Sequence, residues 1–167
     1  IIGATVSIET EVPMFQTGER APEVELPDAD MNIIRLSGYR DSKHVVLFFY
    51  VRDNTPACTA EAIEFSDLEA EFGAMDCAVV GVSRDDCLSH GVFRDSQGIT
   101  VPLLADKEMD ACRAYHVLVR KEVDGVLRDS VQRSTFVIDK RGVIRHALYG
   151  VNAKGHAKEV LALVKEL

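Results

Sequence analysis

The run HVVLFFYV, residues 44–51, is apolar, β-branched and aromatic with no polar alternation. That is the pattern of a strand covered on both faces, as in a parallel sheet. CAVVGVS (77–83) and the shorter TVPLLAD (100–106) read the same way. Ahead of them, PEVELPDADMNIIRL (22–36) predicts two short strands around a turn-rich PDADMN. Beyond them, LVRKEVDGVLRDSVQ (118–132) carries a DG turn and predicts a hairpin or an irregular excursion. RSTFVIDKRGVIRHALYG (133–150) predicts a clear hairpin around DKRG.

Helical spacing fills the gaps. Phe65, Leu68 and Phe72 fall at i, i+3 and i+7, which predicts a helix over 56–73 with these residues on its buried stripe. Cys58 and Ala62 extend the stripe, while Glu61, Glu64, Asp67, Glu69 and Glu71 fall mostly on the wet side. Thr55 suits the N-cap, Pro56 the first helical position, and Gly73 the end. Shorter helices are expected over 84–96, weakened by Gly91, and over 107–117. NAKGHAKEVLALVKEL (152–167) predicts an amphipathic closing helix with Val160, Leu161 and Val164 on its apolar side. The order is a β-hairpin, then βαβα, β, α, then ββα. It predicts an α/β fold, one mixed sheet with helices on its faces.

The length of 167 residues fits one domain with a good core. Apolar residues at 47% and charged residues at 28% are those of an ordinary globular chain. A net charge of −8 without any Lys/Arg block argues against nucleic acid and anionic membrane as partners. No run approaches the length of a membrane-spanning helix. Residues 1–16 show little pattern and read as a loose N-terminal extension before a domain at 17–167. They lack the basic start and apolar stretch of a signal peptide.

The four cysteines, Cys58, Cys77, Cys87 and Cys112, show no two-residue gap and no ligand-spaced His. They point to neither a zinc knuckle nor a disulfide scaffold, but to reduced thiols in a cytoplasmic protein. His44, His90, His116, His146 and His156 are scattered, so surface or capping places are expected for them.

Candidate chemistry concentrates in YVRDNTPACTAEA, residues 50–62. Strand ends and helix starts in parallel units share one sheet edge, where α/β proteins build sites. Cys58 falls in the first turn of such a helix, where orphan N–H groups and the helix dipole favour a thiolate. A packed, inert cysteine suits the same position. Position alone leaves both readings open. Thr55 and Glu61, each three residues from Cys58, and Arg133, just before STFVID, are the groups able to act with it.

The stretch FFYVRDNTPACTAEA resembles the active-site segment of peroxiredoxins, in particular the bacterioferritin comigratory protein or peroxiredoxin Q subfamily, whose pattern is Pro-x-x-x-Thr/Ser-x-x-Cys. GERAPEVELPDAD, VVGVSRDD, PLLAD, RSTFVID and YGVNAKGHAKEVL continue the similarity in the family's order over residues 17–167. The resemblance implies a thioredoxin-like fold and reduction of hydrogen peroxide or organic hydroperoxides. It makes Cys58 the peroxidatic nucleophile, oxidised to a sulfenic acid. Arg133 and Thr55 would serve thiolate and peroxide, and Glu61 would orient Arg133. No cofactor or metal is implied, because sulfur does the redox work. The implied reductant is thioredoxin or a glutaredoxin-type thiol donor, and the implied state a monomer or weak homodimer.

Two departures from the pattern stand out. Val51 occupies the place of the motif proline, which shields the thiolate. The places where relatives carry a resolving cysteine hold Ile63 and Arg94. Cys87 is then the foremost resolving candidate, ahead of Cys112 and of Cys77, which is expected at the opposite sheet edge. An external thiol is the other route. A Cys–His hydrolase would need a His marked as partner to Cys58, and none is. A peroxide sensor or holdase on the same fold remains an alternative.

Overall fold

The computed structural model describes residues 14–167. The expected extension over 1–16 therefore lies mostly outside the described residues. The predicted apolar runs become strands β3 (His44–Phe49), β4 (Cys77–Ser83) and β5 (Leu103–Ala105), preceded by the hairpin strands β1 (Glu25–Pro27) and β2 (Ile33–Arg35). The second half supplies β6 (Leu118–Val123), β7 (Val126–Val131), β8 (Ser134–Ile138) and β9 (Ile144–Tyr149). The helices are α1 (Pro56–Asp67), α2 (Glu69–Gly73), α3 (Cys87–Gln97), α4 (Asp110–Ala114) and α5 (His156–Val164).

The central sheet has the order β5-β4-β3-β8-β9. β3 runs parallel to β4, and β4 to β5, while β8 is antiparallel to both β3 and β9. The mixed α/β sheet expected from the pattern is therefore present. Side chains of β3 alternate between two cores. Val46, Phe48 and Tyr50 join Cys58, Phe65, Phe93 and the α5 residues Val160 and Val164. Val45, Leu47 and Phe49 join Tyr115, Phe136 and the residues under the β1–β2 hairpin. Both faces are covered, which is why the run does not alternate in polarity. Phe48 stacks on Phe65 with centroids 4.5 Å apart. Its pairing partner in β4 must be Gly81, because a Cβ there would lie 2.7 Å from the Phe48 ring.

The β6–β7 ribbon is a separate two-stranded sheet, and the hairpin expectation holds. Asp124 and Gly125 both take positive φ, as its two-residue turn requires. Three expectations change. The helix over 56–73 is broken at Leu68, whose φ of −98° and ψ of 3° leave the α region. The break lies where Thr100 crosses, its N–H donating to Ser66 and its hydroxyl to Glu69. The helix over 107–117 shrinks to α4, because Met109 and His116 take left-handed φ on either side. The closing helix starts only at His156, after left-handed Gly155.

Candidate active site

β3 ends at the same sheet edge at which α1 begins. The intervening loop, residues 50–55, carries the chain back over the first turn. Thr55 is in extended conformation at the N-cap, as expected, but its hydroxyl does not cap the helix. It donates instead to the Arg52 carbonyl at 3.1 Å, tightening the loop. Cys58 is the third residue of α1, and its N–H is one of the helix-start donors without an intrahelical partner. The thiol is 1% exposed and packs in the core cluster against which Val51 also rests.

Arg133 enters from the start of β8, on the neighbouring strand. Its Nη2 donates to Cys58 Sγ at 3.3 Å, and its Nη1 donates to Glu61 Oε1 at 2.6 Å. One guanidinium thus bridges sulfur and carboxylate, groups three residues apart on α1. Glu61 is not on the wet side. It is fully buried, because the guanidinium supplies the counter-charge that makes burial tolerable. Among the described residues, its Oε2 has no hydrogen-bond partner. Burial pushes the Glu61 carboxyl up to about 7, against the opposing pull of Arg133. A guanidinium in contact with Sγ stabilises negative charge on sulfur, and the low-dielectric surroundings strengthen the effect.

The other cysteines lie elsewhere, and all four are free thiols. Cys77 pairs with His44 at the start of β3, at the edge opposite Cys58 as expected, and burial pushes its thiol up to about 12. Cys112 is a buried residue of α4, with its thiol pushed up by desolvation and by Asp106. Cys87 opens α3, half-buried, at the same sheet edge as Cys58. It lines a groove with Leu26, Pro27 and Asp106, while the buried side of α3 carries His90 and Phe93. Arg94 pairs with Asp30 of the β1–β2 turn at 3.0 Å.

The expectation of surface or capping histidines fails twice. His156 is 3% exposed, with Nε2 2.7 Å from the Thr135 hydroxyl. His90 is fully buried. Its Nδ1 meets Asp53 Oδ2 at 2.8 Å and its Nε2 the Leu104 carbonyl at 2.9 Å. Asp53 also accepts from the Tyr50 hydroxyl at 2.7 Å and from Ser89 at 2.7 Å. Its own N–H donates to Asp85 at 2.8 Å. This buried network, absent from the sequence reading, fastens the active-site loop to the first turns of α3. Asp53, Asp85 and His90 converge within metal-ligating distance of one another, but the hydrogen bonds named here already engage them. A polar Asp53 in the active-site loop is unremarkable in sequence, and His90 stands 37 residues away.

Residues 17–147 match the AhpC/TSA family. Peroxiredoxin Bcp of Bacillus subtilis is 35% identical over 153 residues, covering 92% of this chain and 97% of that protein. Among solved structures, a cysteine-to-serine variant of PrxQ from Xylella fastidiosa superposes with a TM-score of 0.86 at 34% identity, over 92% of this chain and 98% of that one. Peroxiredoxin Q of Xanthomonas campestris gives 0.82 at 34% identity, over 86% and 90%. Its thioredoxin-like fold and these relatives make the chain a member of the AhpC/TSA family, a peroxiredoxin with the thiol-dependent peroxidase activity of that family.

Proposed function

We propose that the chain reduces hydrogen peroxide and organic hydroperoxides at Cys58, through a sulfenic acid that an external thiol of the thioredoxin or glutaredoxin type recycles. The contact of Arg133 with both Cys58 and Glu61 carries the reading. The Cys58 thiolate attacks one peroxide oxygen and the O–O bond breaks. The sulfur keeps the attacked oxygen as a sulfenic acid, and the other oxygen leaves as water or alcohol after taking a proton from solvent. Arg133 stabilises the thiolate and the charge that grows on the leaving oxygen. Thr55 and the Cys58 N–H hold the peroxide in line. Glu61 acts through Arg133, as a positioning residue. Val51 takes the proline's part in keeping water from the thiolate. Residues 17–167 form the working domain, in a reducing compartment such as the cytoplasm, as a monomer or weak homodimer.

A second reading resolves the sulfenic acid within the chain, by a Cys58–Cys87 disulfide. It is favoured by the place of Cys87 at the same sheet edge. Mass spectrometry after one equivalent of peroxide, with and without a sulfenic acid trap, decides between the routes. A trapped adduct on Cys58 and no internal disulfide is the expected result. A Cys58–Cys87 linkage moves the assignment to the internal route. An unmodified Cys58 overturns the whole reading.

A further inference from the structure

A cleft of ≈ 500 Å³ opens beside the active-site loop, lined by Val51, Arg52, Arg84, Asp129, Ser130 and Val131. That volume is within the ~300–1,000 Å³ of small-molecule sites. Both of its walls are continuous along the chain with the segments that carry the site. Val51 rests against the core cluster that contains Cys58, and Val131 stands two residues before Arg133. The lining is mainly polar, which does not suit a hydrocarbon tail. Arg52 and Arg84 are exposed, and among the described residues neither has a carboxylate partner. Among the described residues, the Arg84 guanidinium has one hydrogen-bond partner, the Asp129 carbonyl at 3.4 Å. Two unpaired guanidiniums in one cleft are unexpected on a chain of net charge −8. Asp85, the other acid at the cleft, is turned to its own loop, accepting from Ser83 at 2.6 Å and the Asp53 N–H. The Asp129 carboxylate is already loosely paired, with Arg120 at 3.6 Å.

Two cations in one cleft match the two carboxylates of a small peptide. We propose that this cleft binds the two carboxylates of a small peptide thiol of glutathione's class, and delivers it to Cys58. The inference rests on the reading of Cys58 as the peroxidatic thiol with an external reductant. The bound thiolate attacks the sulfur of the Cys58 sulfenic acid. The S–O bond breaks, the oxygen leaves as water with a proton, and a mixed disulfide forms. A second thiol attacks the outer sulfur, releasing the symmetrical disulfide and Cys58.

The test compares glutathione with its diethyl ester, which keeps the sulfur and masks both carboxylates. Hydrogen peroxide consumption is measured with each thiol for the wild type and for Arg84→Gln. Glutathione is expected to exceed the ester in kcat/KM by at least about tenfold in the wild type. Arg84→Gln is expected to lower that ratio about tenfold, through KM, as loss of a charge-assisted contact predicts. Because the ratio is internal to each protein, general damage by the substitution does not move it. A wild-type ratio near one, no turnover with glutathione, or a ratio that Arg84→Gln leaves alone overturns the cleft assignment. Failure of peroxide to form a sulfenic acid on Cys58 overturns the proposed function instead.

Discussion

Arg133 and Glu61, 72 positions apart in the chain, meet in a 2.6 Å ion pair inside the protein, and the same guanidinium reaches Cys58 Sγ at 3.3 Å. Both contacts use separate terminal nitrogens, so the planar fork matters as well as the charge. Arg133→Lys keeps a cation but cannot span both partners. It is expected to lower the second-order rate constant for hydrogen peroxide by about 10²-fold, near the effect of losing one oriented donor. Stopped-flow measurement of Cys58 oxidation checks this, and a loss below threefold contradicts it.

Glu61 ties the site to pH. Its folded carboxyl is raised from 4.5 to about 7 by burial, so the folded protein holds a proton that the unfolded chain has released over that window. The associated stability is fully present below pH 4.5 and is lost as pH rises through about 7. The whole loss is at most about 3 kcal/mol. Glu61→Gln removes this dependence. Urea midpoints of the variant are expected to fall less than those of the wild type between pH 5 and 8, and parallel curves refute the assignment.

Asp53 behaves in the opposite sense. Burial raises its carboxyl, but the hydrogen bond and charge of His90, with Tyr50 and Ser89, outweigh that and hold it below its usual 3.8. Its contribution is present above pH 3.8 and lost as pH falls through the lower folded value. Asp53→Ala leaves a buried ring without its partner and is expected to cost about 3–5 kcal/mol at pH 7. The gap from the wild type should narrow under acid. Chemical denaturation at pH 7 and pH 3 tests both parts, and a cost under 1 kcal/mol at pH 7 would falsify the account.

Val51 stands where the peroxiredoxin pattern that this stretch resembles has a proline, which fixes φ and has no N–H. Val51→Pro is expected to raise the peroxide rate constant and the peroxide dose at which Cys58 over-oxidises, each by about two- to fivefold, through a stiffer loop. Competition kinetics and intact-mass titration read the two quantities. No change in either would show that valine shields the sulfur equally well.

Strand runs, hairpin turns and the first turn of α1 were legible because they are written in neighbouring residues. HVVLFFYV specifies a doubly covered strand by itself, and Asp124–Gly125 specifies its own turn. The break at Leu68 was not legible, because it lies where a distant segment, Thr100, crosses the helix. Glu61 followed the polar pattern of its helix outward until Arg133 turned it into a buried partner. His90 looked isolated because Asp53 and the Leu104 carbonyl approach it only in three dimensions.

The sequence by itself determined the sheet, the placing of Cys58 in a helix's first turn and, by resemblance, the family. Those depend on local periodicity and on ordered motifs. Tertiary structure alone decided which groups touch the sulfur, that Glu61 is buried, that α3 is fastened to the active-site loop, and that Arg52 and Arg84 share a cleft. Such contacts depend on chain segments brought together across the sheet, and no spacing along the chain encodes a distance through space.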